Sequence, residues 1–388
     1  YYAPWVTPRT GGAHGLDFAQ IYFPARAIWS GDAPYHPVNE AFRDPEGRVP
    51  GYSPFSLLLY LPVSLLGYKS ALVCHLALQL AVFAAANLFF LRQQGMLQSG
   101  LGVFGVCSGL LIGTPVGLSF FERGQCDLYV ASAYLLTFGA LLSRRQALAQ
   151  SCVAGLLAGI KWTALPLLGA LGGFGLLVQR RAFGFFVAGG FLLTWMAQPA
   201  QLAEFLRILA YWEGQKPDGI SADRLWTFLG APPGTSKAVF LLAFAALAFG
   251  LYRRRRATEP LDSLRPALTA SGLGLGVLSV GIGSLVFEYR MVGLLGLVAP
   301  LAVFLNSPGP RLGPERLRFW ALAFGLYLPV GFRCLPCQFI RPGWQAMIQL
   351  GGAAVFIGGA IELLLMRWAG GWRRGKKLKE VATQVGSG

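Results

Sequence analysis

The chain has 388 residues, of which 54% are hydrophobic and 13% charged, and its mean hydropathy is +0.52. That excludes a soluble domain of ordinary composition, and long unbroken apolar runs, rather than alternation at every second residue, exclude a transmembrane β-barrel. The net charge of +16 comes in short basic clusters between apolar runs, a pattern that orients spans by their cytoplasmic loops and meets anionic lipid head groups, and that does not mark a nucleic-acid partner. The expected fold class is all-α, a polytopic transmembrane helix bundle.

In chain order, residues 1–67 read as an extracytoplasmic loop with amphipathic and interfacial helices. The sequence opens at Tyr1 without Met, and one further span is expected upstream. Gly15-Leu16-Asp17-Phe18-Ala19-Gln20-Ile21-Tyr22 and Gly31-Asp32-Ala33-Pro34-Tyr35 are polar, turn-rich pieces of this loop. Asp17 is its sharpest feature. It suits the N-cap of a helix through Phe18, Ile21 and Tyr22, and equally a functional carboxylate at the membrane surface. The apolar run over 55–66 is too short to span and reads as interfacial or re-entrant.

Residues 68–368 read as the transmembrane bundle. Spans are predicted over 69–91, 101–121 and 127–142. Residues 151–178 read as a helical hairpin that turns near Pro166, followed by a span over 183–198. A long extracytoplasmic loop over 199–236 contains an amphipathic helix through Leu202, Phe205, Leu206, Leu209 and Trp212. Further spans are predicted over 239–252, 268–287, 291–305, 319–332 and 344–368, giving about eleven crossings in all. Residues 369–388 form a basic cytoplasmic tail.

This alternation places Arg144-Arg145, Arg180-Arg181, the run Arg253 to Arg256 and the tail on the cytoplasmic side. Asp17, Asp32, Glu122, Arg123, Asp127, Glu288, Arg290, Arg333 and Arg341 then share the opposite face, with Lys161 inside the hairpin. These charges either pair with one another or form a cavity with a carboxylate base and cations that grip a phosphate, for which the planar guanidinium fork is suited. Lys161 either snorkels to the interface or faces a polar site. Cys334-Leu-Pro-Cys337 lacks a second ligand pair and a following histidine, so it reads as a local disulfide or two inert thiols rather than a zinc or haem site. Asp17 and Asp32 are too far apart in the loop to claim as metal ligands, and no metal or cofactor is expected. Tyr211, Trp212 and Trp226 read as interfacial belt residues.

Taken together, the pieces resemble the GT-C superfamily of integral membrane glycosyltransferases, and most of all its polyprenol-phosphate-mannose-dependent branch, glycosyltransferase family 87 and its relatives. The resemblance rests on Asp17-Phe18 with Tyr22, on Gly31-x-x-Pro34-Tyr35, on Tyr52-Ser53-Pro54-Phe55 before Leu57-Leu58-Leu59, on Gly124-Gln125 opening a span, on Gly155 to Lys161 followed by Thr163-Ala164-Leu165, and on the loop over 199–236. It covers most of the chain in order.

The resemblance implies a plasma-membrane hexosyltransferase with its site on the extracytoplasmic face. Its donor is a polyprenyl-phosphate-linked sugar, commonly mannose, and its acceptor a hydroxyl on a lipid or glycan. Asp17 matches the family's acidic residue in the first extracytoplasmic loop, the base on the acceptor hydroxyl in an inverting displacement. Arg123, Lys161, Arg290 and Arg333 are the candidate contacts to the leaving phosphate. Glu122, Gln125, Glu288 and Tyr22 are further site candidates. In one place the sequence departs from the pattern: Glu288 stands where many relatives carry a histidine before the tyrosine. That points to different donor handling, with Arg290 as an alternative phosphate contact, or to lost activity. Two other classes stay open: a degenerate accessory subunit of a larger membrane complex, and a transporter, which the lack of a mid-membrane ionisable relay disfavours.

Overall fold

The computed structural model describes residues 15–306, except 46, 98–99, 114, 143–146, 178–198, 214–217, 220–225, 228, 233, 257–260, 281, 283–284 and 287. Within them the regular secondary structure is helical apart from one two-residue strand pair. The expected spans over 183–198, 319–332 and 344–368, Arg333, and the Cys334/Cys337 pair lie outside the described residues.

Among the described residues, two helices are long and apolar enough to cross a bilayer. Helix α4 (Tyr68–Gln93) has 26 residues, about 39 Å at 1.5 Å per residue. Helix α11 (Thr235–Arg256) has 22 residues and ends in four arginines, which suits the negative end of its dipole. Both exceed the roughly 30 Å of a hydrocarbon core. The centre of the fold is α7 (Asp127–Leu142), in which every residue is buried. It packs against α4, α8 (Ala147–Ile160), α9 (Leu165–Leu177) and a 3₁₀ segment over Glu288–Leu297. A helix buried all round needs no polar face, and this one carries a single charge, Asp127, at its first residue.

The N-terminal segment folds more fully than expected. In place of a loop with short amphipathic pieces there is a 14-residue helix, α1 (Leu16–Trp29), buried along most of its length. Its aromatic residues explain this. Phe18 stacks on His75 of α4 at 4.7 Å between centroids, and Phe23 stacks on Tyr68 at 5.8 Å. Tyr22 meets Tyr68 edge-on at 5.1 Å. The run over 55–66 becomes two short helices, α2 (Pro54–Leu59) and α3 (Leu61–Ser64).

The segment expected as a hairpin over 151–178 contains two helices, and the break between them lies earlier than Pro166. Helix α8 stops at Ile160, Lys161 is extended (φ −137°, ψ 107°), and a 3₁₀ turn over Trp162–Ala164 leads into α9. Pro166 is the second residue of α9, a position where its missing N–H costs no hydrogen bond. What ends α8 comes from elsewhere in the sequence. Ser53 caps α2 and its hydroxyl donates to the carbonyl of Gly159, while Ser56 Oγ donates to that of Ile160 at 2.7 Å. These bonds satisfy carbonyls that the helix leaves open. The span expected over 101–121 is likewise two helices, α5 (Gly100–Gly113) and α6 (Pro115–Arg123), divided at Pro115, since proline removes a ladder bond and restricts the residue before it.

Beyond this, α10 (Pro199–Glu213) is the amphipathic helix in the long loop and packs on α2. Helix α12 (Leu261–Val280) follows α11, and α13 (Val298–Asn306) follows the 3₁₀ segment. Strands β1 (Asp218–Gly219) and β2 (Leu285–Val286) pair in parallel and tie the 199–236 loop to the turn before Arg290.

Candidate active site

Two glycines bring the site together. Gly15 precedes α1 with φ +103°, and Gly124 ends α6 with φ +65°. Both are left-handed conformations that side chains disfavour. They pack face to face: a Cβ on Gly124 would lie 2.8 Å from both Phe18 Cβ and Leu72 Cδ1, and 3.3 Å from Gly15 Cα. The Gly15 amide donates to the Glu122 carbonyl at 2.6 Å, and Tyr68 Oη donates to the Gly15 carbonyl at 2.6 Å. The start of α1 is thereby fixed against the end of α6, and Asp17 is brought beside Arg123 and Gln125.

Asp17 is 5% exposed, and its carboxylate accepts four hydrogen bonds. Arg123 grips it with both arms of its fork, Nε to Oδ2 at 2.5 Å and Nη2 to Oδ1 at 3.0 Å. Arg48 Nη1 donates to Oδ1 at 2.8 Å, and the Gln125 amide donates to Oδ2. Asp17 does not cap the helix; Gly15 holds that place without a side-chain bond. Arg48 also donates to both oxygens of Asp44, at 3.2 and 3.0 Å, and to the Leu16 carbonyl at 2.5 Å.

Gln125 passes the network on. Its Oε1 accepts from Lys161 Nζ at 2.9 Å and from Tyr52 Oη at 3.3 Å. Because both partners are donors, Nε2 must be the atom that faces Asp17. Lys161, in its extended break between α8 and α9, also donates to Asp127 Oδ2 at 2.7 Å. It therefore faces a polar site rather than snorkelling. Tyr35 Oη donates to the Tyr52 carbonyl at 2.9 Å, so the Gly31-to-Tyr35 piece also leads to Gln125. Asp32 organises that piece by accepting from the amides of Ala33, Val38 and Asn39 at 2.7, 3.0 and 2.9 Å. Those bonds, that of Asn39 foremost and then that of Val38, hold its carboxyl below its ordinary pKa.

Asp17, Asp44 and Asp127 are thus matched by Arg48, Arg123 and Lys161 in ion pairs, as burial of charge requires. Below it lies a neutral layer. His75 Nε2 lies 3.1 Å from the Gly124 carbonyl and 2.9 Å from Gln79 Nε2, and its Nδ1 lies 2.5 Å from Tyr60 Oη, while Gln79 Nε2 donates to the Gln125 carbonyl at 2.7 Å.

On the far side of Asp127 a cavity of about 520 Å³ opens between α7, α9, α11 and α12. Its walls are largely apolar, with Leu165, Pro166, Phe240 and Phe244 among them. Asp127, Thr163, Lys237 and Arg290 add polar groups. The Arg290 guanidinium carbon lies 5.7 Å from the Trp162 ring centroid, within reach of a cation–π contact.

The structure therefore gathers Asp17, Arg123, Gln125 and Lys161 into one network and places Arg290 across Asp127 at the cavity. The Tyr22 hydroxyl points elsewhere, donating to the Leu66 carbonyl at 2.8 Å. Glu122 contributes its backbone carbonyl. Glu288 begins the 3₁₀ segment, but its side chain is not among those described. Sequence reasoning missed Arg48, which looks like any loop arginine, and His75, one polar residue in an apolar span. Asp127 was visible as a span-end charge, but its pairing with Lys161 depends on the break after α8.

A family model described as glycosyltransferase family 87 matches residues 51–280. Arg123, Gln125, Asp127 and Lys161 lie inside the matched stretch and Asp17 precedes it. Neither the curated proteins nor the solved structures gave a match.

Proposed function

Since the chain belongs to glycosyltransferase family 87, a family of membrane glycosyltransferases, we propose that it moves a hexose, mannose first among the candidates, from a polyprenyl-phosphate donor to a hydroxyl of a lipid or glycan acceptor. In this reading the chain crosses the plasma membrane about eleven times and works on the extracytoplasmic face. The observation that carries the reading is the placement of Asp17 in a cationic cluster that runs through Gln125 and Lys161 to Asp127, on the wall of a largely apolar cavity that also holds Arg290.

The proposed reaction is a single inverting displacement. The acceptor oxygen forms a bond to the anomeric carbon as the bond from that carbon to the phosphate oxygen breaks. The acceptor proton passes to Asp17, and polyprenyl phosphate leaves with the bonding pair. Carboxylate and leaving group lie on opposite faces of the sugar, as in inverting glycosidases. A phosphate leaves without a strong acid, so the task of the cations is to stabilise its growing charge. In this reading Arg290, with Lys237 on the same cavity wall, takes that role. Lys161 and Arg123 act through Asp127 and Asp17. For catalysis, the acceptor hydroxyl must replace one of the four donors now on Asp17.

That saturation also favours a second reading, a degenerate accessory subunit of a larger membrane complex. One experiment separates the two: full-length protein in membranes is given polyprenyl-phosphate donors carrying different hexoses, and release of polyprenyl phosphate is followed. Release that requires an acceptor supports the transferase. No release from any donor, together with stoichiometric co-purification with another membrane complex, supports the accessory subunit.

A further inference from the structure

The cavity contains two polar groups that the ion-pair network leaves unused. Asp127 is 1% exposed and lines the cavity, and only its Oδ2 is engaged, by Lys161. Its Oδ1 accepts no hydrogen bond from the described residues. Thr163 Oγ1, on the same wall, has no partner among the described residues either. Between them in the sequence, Trp162 contributes an indole to the cavity wall, and Arg290 lies over that ring.

A buried carboxylate with one oxygen held by an ammonium and the other facing a cavity is an acceptor-only group awaiting donors. A phosphate, itself an acceptor, has no hydrogen to donate to it, and its negative charge would be repelled. Neighbouring sugar hydroxyls, in contrast, donate to it in charge-assisted bonds. An indole beside the carboxylate offers an apolar surface with a polar rim, which suits the C–H face of a pyranose. Arg290 supplies the positive charge for a phosphate attached to that sugar. The volume, about 520 Å³, falls in the range of small-molecule sites.

We propose that Asp127, with Thr163 and Trp162, forms the subsite that recognises the hydroxyls of the transferred hexose, and that Asp127 determines which hexose is accepted. The proposal deepens the transferase reading and rests on it for the identity of the ligand. Asp17 and Asp127 then have separate tasks, one on the acceptor proton and one on the donor sugar, linked through Gln125 and Lys161.

The test measures binding rather than turnover. Full-length protein in lipid nanodiscs is titrated with polyprenyl phosphate alone and with the same lipid carrying mannose, glucose or galactose. Wild type is expected to bind one sugar-bearing form roughly 10- to 100-fold more tightly than the bare lipid phosphate. Asp127→Asn should lose most of that preference and keep its affinity for the bare lipid, while Asp17→Asn should keep both. If Asp127→Asn no longer binds the bare lipid, the combined Asp127→Asn and Lys161→Met variant, which leaves no orphaned charge, takes its place. A sugar preference that survives in either folded variant, or a wild type with no preference for any of the three hexoses, overturns the proposal. An Asp127-dependent preference in a protein that releases no polyprenyl phosphate would instead keep the subsite and overturn the transferase.

Discussion

The two carboxylates of this site, Asp17 and Asp127, occupy contrasting surroundings. Asp17 is enclosed: four hydrogen bonds from Arg48, Arg123 and Gln125 fill both of its oxygens. Among the described residues Asp127 has one hydrogen-bond partner, Lys161, and it opens onto a cavity that also holds Arg290. Both are buried, yet only the second has spare acceptor capacity. A closed set of charges organises the fold around it, while an open one leaves groups for a ligand. The enclosed half of the site is built by α1, α6 and the loop through Arg48, and the half that opens onto the cavity by α7, α9 and the residues after α12.

The contrast should break most visibly at Lys161. Lys161→Met leaves Asp127 buried without its counter-charge and is expected to cost about 3–5 kcal/mol. Adding Asp127→Asn should recover most of that loss, a coupling that thermal unfolding of the four proteins of the cycle would measure. A second variant acts on the closed half from beneath. His75→Ala removes a fully buried ring that stacks on Phe18 and bonds Gly124 and Tyr60, at an expected cost of about 2–4 kcal/mol. Its effect should spread to turnover, because the Gly124 turn places Gln125.

Arg123→Lys asks whether the fork matters or only the charge. Lysine cannot reproduce the paired bonds from Nε and Nη2, and a loss of about 1–2 kcal/mol is expected, visible as a lower melting temperature. The smallest effect lies at the loop. The Asp32 carboxyl has a pKa below its ordinary value of 3.8 because the amides of Asn39 and Val38 hold its charged form. The contribution it makes to the loop is therefore present above that ordinary value and is lost as pH falls through the lowered one. Hydrogen exchange of the Val38 and Asn39 amides, compared with Asp32→Asn, should show protection that survives at pH 5 and fades only in strong acid.

Much of this was legible in the sequence where the signal is local. The apolar run over 127–142, bounded by Asp127 at one end, is a helix with those limits, and 69–91 falls within α4. Gly124-Gln125, Lys161 and Asp17 were picked out from separate stretches, and the fold brings them together. What could not be read depends on contacts far apart in sequence. The break at Lys161 is set by Ser53 and Ser56, more than a hundred residues away, so Pro166 looked like the better turn. The burial of α1 depends on Tyr68 and His75. Arg48 gave no local sign, because a loop arginine reads the same whether it points to solvent or bridges two aspartates. Pro115 did give one, and the split between α5 and α6 follows from it.

The central claim is that Asp17 takes the acceptor proton. The most direct measurement is the turnover rate of Asp17→Asn against wild type at saturating donor and acceptor, with donor affinity measured on the same preparations. Turnover is expected to fall roughly 10²- to 10⁴-fold with donor affinity unchanged, the size of effect seen when a general base is removed. Turnover within a few-fold of wild type would contradict it and leave Asp17 as a structural anchor for Arg48 and Arg123.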